Sequence, residues 1–263
     1  MGEVIGREEM LPVIEMLCLA NSRKRRGRCV AGIDLNTGKW IRPVSARHEG
    51  SLFENQFFVG EEETGEDSLV PVGYNPQWAA PFDLIHLAVR QPYPLPHHPE
   101  DWILDERETW IWISRGLKEK HISVLKAEVE KSDTELIFGG QETKVPYARF
   151  SQSPVEASLA LIKLDSATVV VKQHPEKPRK QLRLRFSHKG VAYAFPLTDP
   201  ALDATLETSP IGEYPIQSLG KDPSRLYAVV SLSEPFNKPR EERLNSKERI
   251  CYKIVATVLE LPF

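Results

Sequence analysis

A cluster of basic residues near the start of the chain is the feature best suited to chemistry with a charged ligand. Five cations surround Gly27 within six positions: Arg23, Lys24, Arg25, Arg26 and Arg28. Arginine guanidinium groups can hold phosphate oxygens through paired hydrogen bonds, and glycine lets the backbone of such a loop turn. Clustered like charges repel one another, and a bound anion relieves that repulsion. The sequence therefore predicts a phosphate-binding hairpin loop, with a merely solvated loop as the alternative.

Two residues on the strand that follows could complete such a site. Trp40 and Arg42 are two positions apart, so on a strand their side chains share one face. An exposed Trp40 would offer a stacking surface for a base, and Arg42 a cation for phosphate. The alternative is that Trp40 packs in the core.

Weaker candidates for ligand contact are short polar residues at strand ends and two further cations: Asn21, Ser22, Ser45, Arg47 and Lys253. Small polar residues at strand ends more often satisfy loop backbone groups than bind ligands. Lys253 lies inside an apolar run, where an unpaired charge would be costly. It is expected to reach solvent, a carboxylate such as Glu234, or a ligand.

Catalytic motifs are poorly represented. The chain contains no phosphate-binding G-x-x-x-x-G-K-[ST], no H-E-x-x-H and no G-x-S-x-G. Asp133 followed by Glu142 and Lys144 has the order of metal-dependent nuclease residues, but such a pattern arises easily by chance. His97 and His98 lie among prolines and are expected to be exposed. We therefore predict no catalytic residue, no metal and no cofactor.

Charge is segregated along the chain. The total is −3, from 34 Lys and Arg against 37 Asp and Glu. Residues 21–47 carry eight basic residues and one acidic residue, whereas residues 48–67 carry seven acidic residues and no Lys or Arg. The acidic block is most simply a solvated loop, and a second possibility is that it shields the basic loop.

The elements that would position these residues are mostly strands. Short apolar runs bounded by turn residues lie at 13–20, 28–33, 39–44 and 83–90, and again at 159–171, 182–186, 191–197, 225–232 and 250–259. No regular alternation of strands and helices exists, so a mainly β chain with minor α structure and two small antiparallel barrels is predicted. The barrels are placed at 10–95 and 151–263. The connector, 96–150, is proline-rich at its start and holds a helix near 117–131.

Several segments resemble one protein family. They are LCLANSRK (17–24), GRCVAG (27–32), WIRPVS (40–45), TDP (198–200), VSLSEPF (230–236) and CYKIVA (251–256). In this order they resemble the bacterial dual OB-fold domain family. The resemblance implies two OB-like barrels and recognition of nucleic acid or a nucleotide-derived group, often beside bacterial conflict (defence) systems. In OB-folds the loop between the first two strands commonly contacts the ligand.

Three function classes follow. The preferred class is a non-enzymatic module that binds single-stranded nucleic acid or a nucleotide. The alternatives are a metal-dependent enzyme acting on nucleic acid or a nucleotide conjugate, and an adaptor for a protein partner from the same system. Three cysteines that cannot all pair and the lack of a long apolar run predict a cytoplasmic protein with no membrane association.

Overall fold

The computed structural model describes residues 12–24, 27–46, 50–52, 58–61, 77–174, 179–237 and 249–263. Within them the first half of the chain forms β1 (Val13–Lys24), β2 (Gly27–Asp34), β3 (Trp40–Val44), β4 (Phe58–Glu61), β5 (Gln77–Trp78), β6 (Asp83–Pro92), β7 (Asp101–Leu104) and β8 (Trp110–Arg115). The second half forms three helices, α1 (Glu119–Ser132), α2 (Ala148–Gln152) and α3 (Pro200–Thr205). Its strands are β9 (Lys144–Pro146), β10 (Leu159–Lys163), β11 (Ser166–Gln173), β12 (Lys180–His188), β13 (Val191–Pro196), β14 (Gly212–Pro215), β15 (Leu226–Leu232), β16 (Phe236–Asn237) and β17 (Arg249–Glu260).

Five strands of the first half close into a small barrel. Strand β1 pairs with β2 on one side and with β6 on the other, and the ring continues from β2 through β3 and β7 to β6. Every pairing in the ring is antiparallel except β3 with β7, which is parallel. Such a closed Greek-key ring of five strands is the OB arrangement. Alternate residues of β1, namely Ile14, Met16 and Cys18, fill its interior.

The second half repeats this strand order. Strands β10 and β11 act as one bent strand, because β10 pairs with β15 while β11 pairs with β12. The path continues from β12 to β13, crosses to β17 through the parallel bridge of Leu197 with Val255, and returns through β15. The prediction of a mainly β chain with two OB-like barrels is thus confirmed.

A shared apolar interface joins the two barrels. The residues of β1 that point away from the first barrel's interior, Leu17 and Leu19, pack with Leu161 and Val229 of the second barrel. Leu125 of α1 is fully buried in the same cluster. Strand β1 is therefore apolar on both faces because each face covers a different core, which explains its unbroken run of hydrophobic residues.

The connector differs in part from its expected bounds. The helix lies at Glu119–Ser132, close to its expected position. The first barrel extends beyond residue 95, since β7 completes its ring and β8 extends its sheet. Among the described residues no helix has the length and apolar content needed to span a membrane.

Candidate nucleic-acid interface

The basic hairpin, residues 23–28, joins β1 to β2, and its first two residues contact the second barrel. Arg23 forms an ion pair with Asp203 of α3, and its backbone N–H donates to Thr198 O at 3.0 Å. Lys24 Nζ lies 3.3 Å from Glu234 Oε1. Arg25 and Arg26 lie outside the described residues. The base of the predicted phosphate-binding loop therefore sits at the junction of the two barrels.

Gly27 is required here by close packing. A Cβ at this position would lie 2.1 Å from Leu52 O. The backbone N–H of Arg28 donates to the same carbonyl at 2.8 Å. Gly27, expected from the sequence to let the loop turn, instead lets the Leu52 backbone approach β2.

An exposed aromatic residue beside the hairpin was missed by the sequence argument. Trp78 is 42% exposed, and the Arg28 guanidinium lies over its ring at 5.2 Å from the centroid. Trp78 pairs with Phe58 across β4 and β5, a short strand pair reached only through a long connection from β3. No local pattern marks a two-residue strand, so sequence periodicity could not have identified this residue.

Trp40 occupies a different environment. Only 5% of it is exposed, and its Nε1–H donates to Glu128 Oε1 of α1 at 2.6 Å. The hypothesis that Trp40 offers a stacking surface is wrong, because both sides of β3 are covered and the ring packs in the interface between the barrels. The alternative, Trp40 in the core, describes its position.

Arg42 is also buried, in a polar setting. Its side chain is 3% exposed and forms two hydrogen bonds with Asp101, from Nε to Oδ1 at 2.6 Å and from Nη2 to Oδ2 at 2.9 Å. Burial alone would lower the pKa of Arg42, but the charge of Asp101 beside it raises that pKa well above its usual value. Burial raises the pKa of Asp101 to about 6 although Arg42 opposes this, so the pair is ionised at neutral pH. Arg42, which was predicted to contact phosphate, is thus part of a buried ion pair with Asp101.

Arg42 belongs to a polar cluster between the barrels, which we call the seam cluster. Its members are Arg42, His97, His98, Glu100, Asp101, Ser158 and Glu234, with Lys24 at its edge. The first barrel and the segment between β6 and β7 supply most of these residues, whereas Ser158 and Glu234 flank β10 and β15 of the second barrel. The cluster therefore links the two barrels through hydrogen bonds.

His98 is held in one protonation state by its neighbours. Arg42 Nη1 donates to its Nε2 at 3.1 Å, so its proton resides on Nδ1, which lies 2.7 Å from Ser158 Oγ. The Ser158 hydroxyl in turn donates to Glu100. Burial and, next, the charge of Arg42 lower the pKa of His98 to about 3. His98 is therefore neutral at physiological pH.

The prediction that His97 and His98 are exposed is wrong. Their exposed fractions are 4% and 0%, because the segment folds back so that Leu95 and His98 form a bridge and the two rings enter the seam cluster. His97 Nε2 lies 3.1 Å from Glu234 Oε2, while its Nδ1 is buried and has no hydrogen-bond partner among the described residues.

Three donor side chains of the cluster contact the carboxylate of Glu234. Arg42 Nη2 donates to Oε1 at 3.2 Å, Lys24 Nζ lies 3.3 Å from the same oxygen, and His97 contacts Oε2. Burial would raise the pKa of Glu234, but the hydrogen bond from His97 and the charges around it lower that pKa well below its usual range. Glu234 therefore remains ionised.

His97, His98 and Glu234 are the one group of three or more possible metal ligands within the described residues. One potential ligand atom from each lies within 4.8 Å of the others. Two guanidinium N–H groups of Arg42 already point at His98 Nε2 and Glu234 Oε1. A divalent cation would have to displace a buried arginine held by Asp101, so the geometry suits hydrogen bonding better than metal coordination.

The weaker candidates have structural partners. Asn21 Nδ2 donates to Ala79 O at 2.7 Å, Ser22 Oγ lies 3.4 Å from Cys29 O, and Ser45 donates to Glu106. Arg47 lies outside the described residues. These contacts match the alternative in which small polar residues satisfy neighbouring groups.

Lys253 differs from all three sequence expectations. It is 1% exposed, and its Nζ donates to the carbonyls of Ile137 and Gly140 at 2.6 Å each. Burial lowers its pKa to about 8. Lys253 thus links the loop after α1 to the second barrel through hydrogen bonds and does not reach solvent, Glu234 or a ligand.

The proposed nuclease residues do not form a comparable cluster. Asp133 pairs with Lys189 at 2.9 Å, and Glu142 and Lys144 are exposed. Neither carboxylate belongs to a group of three potential metal ligands among the described residues.

Comparison with known proteins supports the fold assignment. No curated protein and no solved structure matches the chain. A family model described as "Dual OB-containing domain" matches residues 14–258, nearly the whole sequence. The two barrels of identical strand order agree with that description, and the chain therefore belongs to the dual OB-containing domain family.

Proposed function

We propose that the protein binds single-stranded nucleic acid or a nucleotide-derived ligand through the basic hairpin and Trp78. The observation that carries this proposal is the placement of the hairpin. It is the β1–β2 loop of an OB-like barrel, it concentrates five cations, and an exposed tryptophan lies at its base. The β1–β2 loop is one of the loops that OB-folds use to contact oligonucleotides.

The electrostatics of the hairpin favour an anionic ligand. Arg23 and Arg28 lie directly opposite each other across β1 and β2, an arrangement that destabilises a strand pair when the charges are alike. Asp203 compensates Arg23. A phosphodiester backbone along the hairpin would relieve the remaining repulsion and gain the charge-assisted hydrogen bonds that arginine forms with phosphate.

Trp78 supplies the second element of single-strand recognition. Base stacking on an aromatic ring contributes about 1–3 kcal/mol per base and tolerates any sequence. Its ring is exposed, and Arg28 lies over it. Stacking here combined with phosphate contacts at the hairpin favours a strand whose bases are unpaired over a duplex.

The proposed function is ligand binding without catalysis. We further propose that the protein acts in a bacterial conflict system. This second proposal rests on the family resemblance. It predicts that cells expressing the wild-type chain with its neighbouring genes resist phage better than cells expressing a hairpin variant.

Fluorescence polarisation tests the binding directly. Labelled single-stranded DNA, single-stranded RNA, duplexes and a mononucleotide are titrated at two salt concentrations. We expect single strands to bind best, with log affinity falling by about 0.7 per phosphate contact for each tenfold rise in salt. Salt-independent binding, or binding of none of these probes, would contradict the proposal.

A matched pair of variants locates the site. R23A/K24A/R25A/R26A should lose most of the affinity and much of the salt dependence. The control K172A/K177A/R179A/K180A removes the same charge from around the corresponding hairpin of the second barrel and should bind nearly as the wild type. Equal losses in both variants would show a general charge effect instead of a site.

A further inference from the structure

The carboxylate of Glu234 lies where three donors from different parts of the chain converge. Lys24 comes from the end of β1, Arg42 from β3, and His97 from the segment between β6 and β7. Their contacts with the two oxygens of Glu234 are 3.1–3.3 Å. Lysine, arginine and histidine are the side chains that bind phosphate groups in proteins, and here they share one small acceptor.

Two of these donors are fixed without help from Glu234. Both hydrogen bonds with Asp101 hold the Arg42 guanidinium, and His98 fixes its Nη1. His97 is buried and packs edge-on against Tyr147 at 5.2 Å between ring centroids. The donors are therefore already positioned for an acceptor, which reduces the cost of binding one.

Glu234 itself is less firmly enclosed. It lies between β15 and β16, and its side chain is 21% exposed whereas those of Arg42 and His97 are 3% and 5% exposed. Glu234 and Lys24, whose side chain is 19% exposed, are the members of this group that reach solvent. A ligand arriving from the solvent therefore meets Glu234 before it reaches the buried donors.

His97 shows that the seam cluster is not complete in itself. Its Nδ1 is buried and has no hydrogen-bond partner among the described residues. A buried polar atom without a partner carries a free-energy cost that a bound group or an ordered water can remove. Because Nε2–H of His97 donates to Glu234, Nδ1 is an acceptor, so a group or water that satisfies it must donate a hydrogen bond.

We infer that Lys24, Arg42 and His97 form a phosphate-monoester site that Glu234 occupies when no ligand is bound. This inference rests on the proposed function, because Lys24 also belongs to the basic hairpin and joins the two surfaces. A strand following the hairpin would place its terminal phosphate at this site. A monoester fits better than an internal phosphodiester because it offers three unsubstituted oxygens to the three donors, whereas a diester offers only two.

The experiment uses the full chain and one single-stranded DNA sequence, labelled at its 3′ end, with either a 5′-phosphate or a 5′-hydroxyl. Three proteins are compared by fluorescence polarisation: the wild type, E234A, and the control E213A, which removes an exposed carboxylate paired with Arg185 on the second barrel. We expect E234A to raise the preference for the 5′-phosphate by about tenfold, the equivalent of about 1.4 kcal/mol. E213A should leave it unchanged.

Folding is monitored by circular dichroism and thermal unfolding. If E234A does not fold, E234Q serves in its place, because it removes the charge and keeps an acceptor for Lys24 and Arg42; its effect should have the same sign. K24M should abolish the preference for the 5′-phosphate. A folded Glu234 variant with unchanged or weaker preference overturns the inference.

Two further outcomes separate this inference from its alternatives. If the wild type binds neither oligonucleotide, the proposed function fails. If both oligonucleotides bind equally well to the wild type and to E234A, the inference alone fails. Stoichiometric binding of Zn²⁺ by the wild type and its loss in E234A would overturn the phosphate site in favour of a metal site at the same residues.

Discussion

The two barrels have the same strand order but use their cations differently. In the first barrel three cations, at the hairpin and in the seam cluster, pair with carboxylates of the second barrel, while others such as Arg115 pair within the same half of the chain. In the second barrel Arg185 pairs with exposed Glu213 at 2.9 Å, and Arg183 donates to Ala194 O. These two cations of the second barrel are thus satisfied locally, whereas the first barrel directs part of its cations to the junction. A shared topology therefore does not imply a shared ligand site.

The largest expected difference between the barrels concerns their ion pairs. Arg42→Ala leaves Asp101 buried without its partner, and we expect a loss of about 3–5 kcal/mol in the free energy of unfolding. Arg185→Ala removes a pair in which both side chains are 53% exposed, and we expect a loss of about 0–1 kcal/mol. Urea unfolding measures both.

The double variant R42A/D101A sharpens this comparison. If Arg42 stabilises the protein chiefly by compensating a buried charge, removing both partners should restore part of the stability lost in R42A. A double variant less stable than R42A would contradict this explanation.

The next largest effect is a pH dependence of the free energy of unfolding, which originates in the seam cluster. Folded His98 has a pKa of about 3, against an ordinary value of 6.5. Between these values the unfolded chain binds a proton that the folded protein excludes. The stabilising contribution is thus complete above pH 6.5 and declines as the pH falls, by up to about 1.36 kcal/mol per pH unit.

Unfolding free energies measured between pH 7 and pH 5 test this dependence, with His98→Asn as the matched variant. The groups facing His98 are Arg42, Glu100 and Glu234, with His97 beside it. The wild-type stability should decline more steeply than that of the variant. If the free energies of unfolding of the wild type and the variant change equally with pH, His98 is not the group responsible for the pH dependence.

The smallest expected effects separate two tryptophans. Trp40→Phe removes a hydrogen bond to buried Glu128 and should cost about 1–3 kcal/mol of stability without changing oligonucleotide affinity. Trp78→Ala should leave stability within about 0.5 kcal/mol and weaken binding of single strands by about 1–3 kcal/mol. A loss of affinity in W40F with none in W78A would reverse the assignment.

The features that could be predicted from the sequence are those set by local residue patterns, such as strand alternation and turns. Leu182, Leu184 and Phe186 alternate with Arg183 and Arg185, and the structure buries the first set on one face of β12. Asp34, Asn36 and Gly38 between the apolar runs 28–33 and 39–44 are residue types that favour a turn, and Gly38 has a φ of +67° there. Periodicity and turn chemistry act over a few residues, so a single sequence reveals them.

What depends on distant contacts could not be predicted in this way. Strand β3 is covered on both faces, so the side-chain alternation that would have exposed Trp40 is absent. His97 and His98 lie among prolines, which indicate an extended segment. The prolines do not indicate that this segment folds back to contact Arg42 and Glu234, which are far away in the sequence. Trp78 depends on a two-residue strand pairing.

Photo-crosslinking tests the central claim most directly, because it identifies the surface that contacts the strand. Single-stranded DNA carrying 5-bromouracil is bound, irradiated and mapped by peptide mass spectrometry. The account predicts crosslinks at the basic hairpin and Trp78, and few in the hairpin of β11 and β12. Crosslinks confined to that second hairpin, or spread evenly over both barrels, would contradict it.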